Sequence, residues 1–393
     1  MRRSAILASL ALLFSGSFLP AAAAAPAPPP PAAQTAAIDV RAPSAILMEA
    51  STGQIIFAKN AQQERPPASM TKLMTLHLAL QAVGAHRARL SDPVSVSENA
   101  YRLGGSQIWL EPGETIPLGQ LLRAIAIGSA NDACLAVAEH LSGSESAFVA
   151  QMNAEANRLG MTHTHYANSH GLDAEGHYTT AADMARLSRT IVGDPGLLAL
   201  TSQREDRTIR DGKGGHLWLI NHNRLLGKVP GLDGLKTGFT SGAGYCLTAT
   251  AERQGLRLIA VVMGDATSKE RFADASTLLQ SGFSNFEAVL LAKSGQPLGQ
   301  VKVMRGMRST VPVVVARDVR AVHPRGEKLQ VKLQPKLPES MRAPIHRGQN
   351  VGEARIMAGG RQIASVPLVA ANCVQKASFG RLFTRLLHTV MHF

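Results

Sequence analysis

The stretch Pro67-Ala68-Ser69-Met70-Thr71-Lys72-Leu73-Met74-Thr75 joins a chain stop to a helix start. Pro66 and Pro67 interrupt whatever precedes them, because proline fixes φ and donates no backbone hydrogen bond. From Ser69 to Leu80 the chain is rich in Leu and Met, and Ser69 stands where a helix N-cap stands. The tetrad Ser69-Met70-Thr71-Lys72 therefore places a hydroxyl and an amine at i and i+3, on one helix face. A serine hydroxyl is a weak nucleophile until a base removes its proton. A lysine whose pKa is lowered by burial or by neighbouring cations is such a base. The first amides of a helix have no partner within it, so the Ser69 N–H is expected to be free to face an oxyanion. Taken alone, the tetrad is also an N-cap serine followed by a surface lysine.

Working outward, Ala45–Met48 and Ile55–Phe57 are apolar strand candidates joined through Ser51-Thr52-Gly53. Helical patterning runs from Leu118 to Leu141 with a break at Gly128-Ser129. It returns from Ser144, an N-cap residue, to Leu159, and from Thr179 to Ile191. Beyond residue 230, Tyr245–Ala251 and Leu256–Met263 are strands around a Glu252–Gly255 turn, and Leu278–Leu291 reads as a helix. A strand pair, many helices, then more strands and a helix make an α+β fold, with helices packed on a mainly antiparallel sheet, over residues 38–292. From Lys293 the pattern shortens to strand candidates at Val301–Val303, Val311–Val315, Leu329–Leu333 and Arg355–Val369. The last contains a Gly359-Gly360 turn, and residues 293–374 read as a separate small β-rich domain.

Two further triplets carry chemistry. Ser129-Ala130-Asn131 falls in the helical break, where a loop presents a second hydroxyl and an amide. Ser129 suits a proton relay, and Asn131 suits holding Lys72 and a substrate carbonyl. Lys236-Thr237-Gly238 precedes the strand from Tyr245. Lys236 and Thr237 suit a carboxylate, Gly238 allows close backbone approach, and the Phe239 N–H is the candidate second oxyanion donor. Each triplet alone is common.

The two ends point to a compartment. Arg2-Arg3, the apolar stretch Ala5 to Leu19 and the run Ala21 to Ala25 form a secretory signal over residues 1–25. Residues 26–37, with Pro28 to Pro31, read as a stiff linker. In residues 376–393, Phe379, Leu382, Phe383, Leu386, Leu387, Val390 and Met391 recur at helical spacing, with Arg381, Arg385 and His388 at other angles. This acid-free amphipathic helix suits an anionic membrane surface and is too short and charged to span a bilayer; packing on its own protein is the competing reading. The chain is therefore expected to be exported and to sit on the periplasmic face of the cytoplasmic membrane. The net charge of +13 suits an anionic partner, but aromatics are only 4% and no nucleic-acid-binding motif is present, so nucleic acid is not expected. Cys134, Cys246 and Cys373 give no disulfide framework. Cys134 and Cys246 read as buried thiols, with a bridge between them left open. His163, His165, His170 and His177 lack an H-E-x-x-H spacing, so His170 reads as structural or cleft-lining, and no metal or other cofactor is expected.

In this order, Ser69-Met70-Thr71-Lys72, Ser129-Ala130-Asn131 and Lys236-Thr237-Gly238 resemble the motif set of penicillin-binding proteins and class A β-lactamases. Gly128 to Cys134, Asn168-Ser169-His170-Gly171-Leu172 and Asp233 to Thr240 extend the likeness, which runs to Gly282-Phe283. The sequence resembles the D-alanyl-D-alanine carboxypeptidases of the low-molecular-mass penicillin-binding protein family. That resemblance implies a penicillin-binding-protein/β-lactamase-like catalytic domain and removal of the terminal D-Ala from a peptidoglycan stem peptide through an acyl-enzyme on Ser69. It also implies covalent acylation by β-lactam antibiotics, and a carboxylate grip by Lys236 and Thr237. Arg271 matches a further carboxylate-binding arginine and is equally readable as a surface helix charge. Phe239 stands where the family often has His, which leaves only a backbone role. A β-lactamase, a D,D-endopeptidase and a non-catalytic penicillin-sensing wall-binding protein are the alternatives.

Overall fold

The computed structural model describes residues 38–210, 215–327, 330–378 and 380. The signal segment 1–25, the linker 26–37 and nearly all of the amphipathic tail lie outside the described residues. Lys376, assigned to that tail from sequence, instead bridges Gly306.

Five antiparallel strands form the central sheet: β1 (Ser44–Glu49), β2 (Ile55–Lys59), β3 (Leu232–Thr240), β4 (Gly244–Arg253) and β5 (Leu256–Asp265), in the order β2-β1-β5-β4-β3. The sheet explains why its inner strands are apolar runs rather than alternating ones. Every residue of β1 is buried. Ile46, Met48, Ile259 and Val261 face one core with the helices α1 (Lys72–Gly84), α2 (Asn131–Ser142), α3 (Glu145–Arg158) and α4 (Ala181–Ile191). Ala45, Leu47, Leu258 and Ala260 face a second core with Leu278 and Leu279 of α5 (Ser268–Asn285). A sheet covered on both faces needs apolar residues at both phases of the pleat.

The helix starts follow local side-chain chemistry. Ser144 Oγ accepts from the Ala147 amide at 3.2 Å, and Thr180 Oγ1 from the Asp183 amide at 3.0 Å. Ser69 departs from this rule. The α-helix begins at Lys72, after a 3-10 turn over Ala68–Thr71, and Ser69 caps nothing. The expectation that the helix opens at Ser69 is thereby corrected, and the Ser69 hydroxyl is not spent on a backbone amide. The break at Gly128-Ser129 is a π-helical turn, Ala124–Gly128, ending with Ser129 at φ 60° before α2 restarts the chain.

The helix expected over Leu278–Leu291 is shifted. It starts at Ser268, capped by Thr267, and stops at Asn285. Phe286–Ala292 is a strand because it pairs with Val319–Pro324, a partner distant in sequence. The β region that follows holds a six-stranded sheet around Val301, Val311, Val313, Ile356 and Leu368. It meets the main body at Arg317, whose Nη2 donates to the Ser51 carbonyl at 3.2 Å, and at Arg325, which donates to the Phe283 carbonyl at 3.1 Å.

Burial on both faces makes a direct prediction. Ile46→Ala and Leu47→Ala, adjacent in sequence and facing opposite cores, should each cost about 2–5 kcal/mol in urea unfolding. A near-zero cost for either one would mean that its face is not packed.

Candidate active site

Because the 3-10 turn runs straight into α1, Ser69 and Lys72 stay one turn apart, and Lys72 Nζ lies 3.0 Å from Ser69 Oγ. The same nitrogen donates to Asn131 Oδ1 at 2.6 Å and to the His170 carbonyl at 2.5 Å. Lys72 is fully buried. Burial disfavours its charge and brings its pKa down to about 8, against the opposing pull of Cys134 and Asp132. An ammonium has three hydrogens and no acceptor, whereas an amine has two hydrogens and a lone pair. Asn131 Oδ1 and the His170 carbonyl can only accept. In the neutral form they take the two hydrogens and leave the lone pair facing Ser69 Oγ.

Each of those acceptors is itself fixed. Asn131 Nδ2 donates to the Gly104 carbonyl at 2.7 Å, and its amide to the Ser106 carbonyl at 2.7 Å. Asp132 accepts from the Ile108 and Leu110 amides, tying the same loop to the start of α2. The His170 carbonyl sits in a turn held by Asn168, whose Oδ1 accepts from the Gly171 amide at 2.6 Å and whose Nδ2 donates to the Leu172 carbonyl at 2.9 Å. Gly171 has φ +95°, and a Cβ there would overlap the Ala68 carbonyl. From the sheet side, a Cβ on Gly238 would come within 3.0 Å of the Pro67 carbonyl and 3.1 Å of the Ser69 amide nitrogen. Two glycines thus bring two backbones against the Ser69 turn.

The structure brings the sequence candidates together. Ser69, Ser129, Thr237, Gly238, Phe239 and Arg271 line one cleft of about 280 Å³. Lys236 is buried beside it, its Nζ donating to the Thr237 carbonyl at 3.1 Å. Burial first, and then Lys72, hold its pKa well below the usual lysine value. Phe239 leaves about half its surface exposed, with its ring 4.3 Å from that of Tyr245. Arg271 is no surface charge. It is buried, and it donates through Nη1 to the Gly238 carbonyl at 3.1 Å and through Nη2 to Ser268 Oγ at 3.1 Å. Burial draws its pKa down to about 10. Cys134 and Cys246 are free, buried thiols.

Sequence reasoning missed Ser106, His222, Arg224, Tyr245 and Ser268, which also line the cleft. Tyr245 carried a signal, since a hairpin folding β3 onto β4 pairs it with Phe239. The His170 contact carried none, because a carbonyl is common to every residue type.

A helix-flanked antiparallel sheet with a cleft-lining serine on a buried lysine at the head of a central helix defines a serine acyl-transfer enzyme of the penicillin-binding-protein type. The model of the D-alanyl-D-alanine carboxypeptidase family matches residues 31–267, and that of the penicillin-binding protein 5 C-terminal domain matches residues 286–376. The chain belongs to the D-alanyl-D-alanine carboxypeptidase family. It is 39% identical over 347 residues to the D-alanyl-D-alanine carboxypeptidase DacF of Bacillus subtilis, covering 88% of this chain and 89% of that one. Penicillin-binding protein 5 of Haemophilus influenzae superposes with TM-score 0.71 at 32% identity, over 87% of this chain and all of that one. Penicillin-binding protein D2 of Listeria monocytogenes, solved in its ampicillin-bound form, superposes with TM-score 0.56 at 34% identity, over 62% of this chain and 98% of that one.

Gly238→Ala should push β3 off the Ser69 turn, since the atoms its methyl would meet include backbone. Acylation by a fluorescent penicillin should fall at least about tenfold with the fold retained, on the scale expected for a sub-ångström to 1 Å misplacement; an unchanged rate would show that the spacing is not critical. A second expectation concerns acid. Burial first, and then Lys72, hold the His170 pKa at about 3. Burial first, and then His165, hold that of His177 at about 4. The unfolded chain binds protons that the folded chain rejects, so stability is lost as pH falls through the ordinary histidine value towards these two. Between pH 7 and 5 the loss should be about 2 kcal/mol per ring, and His177→Asn should reduce it. Urea unfolding at both pH values in both chains measures this; an equal loss with and without the His177 ring would refute it.

Proposed function

We propose that this serine D-Ala-D-Ala carboxypeptidase uses Ser69 as its nucleophile and Lys72 as the base, acting on peptidoglycan stem peptides that end in D-Ala-D-Ala. The observation that carries the assignment is the three-way hold on Lys72 Nζ by Ser69 Oγ, Asn131 Oδ1 and the His170 carbonyl.

Lys72 takes the Ser69 proton as Oγ adds to the scissile carbonyl. The Ser69 and Phe239 amides face the oxygen that becomes negative. Ser129, which lines the same cleft at the left-handed end of the π-helical turn, passes the proton on to the departing D-Ala nitrogen. Lys236, Thr237 and Arg271 provide the cationic and hydroxyl groups for the terminal carboxylate, and Gly238 leaves room for the substrate backbone. Water then releases the acyl group from Ser69. A β-lactam presents a strained amide and a carboxylate to the same groups and acylates the same oxygen, in keeping with the ampicillin-bound relative.

The residue spans assigned from sequence complete the proposal. Residues 1–25 direct export, the basic amphipathic tail that follows the Lys376 bridge lies on the anionic outer surface of the cytoplasmic membrane, and the catalytic body of residues 38–292 works in the periplasm. No helix among the described residues is long and apolar enough to cross a membrane.

Incubation with a pentapeptide ending in D-Ala-D-Ala should release D-Ala, and Ser69→Ala should abolish both release and labelling by a fluorescent penicillin. Lys72→Met should lower acylation by about 10²–10⁴-fold. Release that survives Ser69→Ala would sink the assignment. With the Lys72 pKa at about 8 and the neutral amine as the active form, acylation should climb about tenfold per pH unit below 8 and level off above it. Single-turnover acylation between pH 6 and 9 reads this directly, and a flat profile would remove Lys72 from the base role.

A further inference from the structure

A second cavity, of about 460 Å³, adjoins the catalytic cleft and shares Arg224 with it. Its walls include Arg204, Arg224 and Lys228, together with the apolar side chain of Ile220. None of these three cations pairs with a carboxylate among the described residues. The cavity's one acid, Glu205, is already engaged: its Oε2 accepts from Trp218 Nε1 at 2.8 Å and from Arg207 Nη2 at 3.5 Å. Among the described residues of the lining, Arg204, Arg224 and Lys228 outnumber the single acid Glu205, whose charge Arg204 also feels, and leave a concave surface with an excess of positive charge.

The segment that carries Arg224 is held by its neighbours. The Asn221 amide donates to the Arg204 carbonyl at 2.8 Å. Asn221 Nδ2 donates to the carbonyls of Thr201 and Gln203, and Asn223 Nδ2 to that of Gly234 on β3. Asn221 and Asn223 are buried, while His222 and Arg224 are exposed on the alternate phase, and both line the catalytic cleft. Arg204 is seated against Gly227, where a Cβ would lie 3.1 Å from Nη1. The terminal carboxylate of the substrate already has Lys236, Thr237 and Arg271, so the second cavity suits a different negative group on the same molecule.

We propose that this cavity is an anion subsite that receives an acidic group of the peptide substrate beyond its terminal carboxylate. The proposal rests on the peptidase reading above and is tested separately from it. The Ser69→Ala chain is titrated calorimetrically with two pentapeptides ending in D-Ala-D-Ala. One carries free carboxylates on its second and third residues, and the other is the same peptide with those groups amidated. At about 50 mM salt the acidic peptide should bind about tenfold more tightly, and at about 500 mM salt the ratio should fall below about threefold. Adding Arg204→Gln and Lys228→Gln should bring the low-salt ratio below about threefold, and Arg204→Glu should lower it further. Equal affinity for the two peptides, no binding of either, or a preference that survives these substitutions would overturn the subsite. A preference for the acidic peptide in a parent chain that releases D-Ala from neither would overturn the hydrolase reading and leave the subsite standing.

Discussion

The coordination of one buried amine governs the rest of this molecule. Among the described residues Lys72 Nζ has no carboxylate in direct contact; its partners are a hydroxyl, an amide oxygen and a backbone carbonyl. A buried ammonium without a counter-ion is costly, so the environment favours the neutral amine while still satisfying its hydrogens. Those partners lie 3, 59 and 98 positions away along the chain. No local segment can assemble them, so the whole helical layer has to fold before the nitrogen acquires its geometry.

The supporting groups follow from that demand. Asn131 must hold its oxygen still, so its other amide group and its backbone are tied to the 104–106 loop, and Asp132 ties the same loop two residues further on. The His170 carbonyl must point inward, so Asn168 closes its turn. The second lysine of the site, Lys236, is also buried, and burial first, then the nearby Lys72, disfavours its charge. Burial is the first cause of the lowered proton affinity at both nitrogens.

What could be read from the sequence depended on how far each signal travels. Ser144 and Thr180 cap helices a few atoms away, and their role was visible in residue type alone. The apolar runs of β1, β4 and β5 were visible because covering both faces requires them. Residues 286–291 pattern as the end of a helix, whereas their strand identity comes from pairing with Val319–Pro324, a non-local partner that no short window contains. The tetrad alone fits a helix that opens at Ser69; the 3-10 turn found there, with Gly171 and Gly238 packed against it, is a tertiary effect. The motif triplets named the side chains that converge, whereas the His170 carbonyl and the Arg224 junction emerged only from the fold.

The strand that carries Lys236 to Phe239 is also one of the two outer strands of the sheet. An outer strand shows one row of unpaired amides and carbonyls, and that row recruits strands from other copies of the chain. Here Leu232 is buried, and so is every residue from Gly234 to Gly238, with the Ser69 turn lying across the strand. Arg271 takes the Gly238 carbonyl, and Asp173 takes Thr240 Oγ1 and the Gly242 amide at the strand's end. The cover that forms the cleft therefore also keeps the sheet from growing at this edge. A lesion that lifts the Ser69 turn would cost colloidal stability as well as chemistry, and the lost material would be found in the pellet.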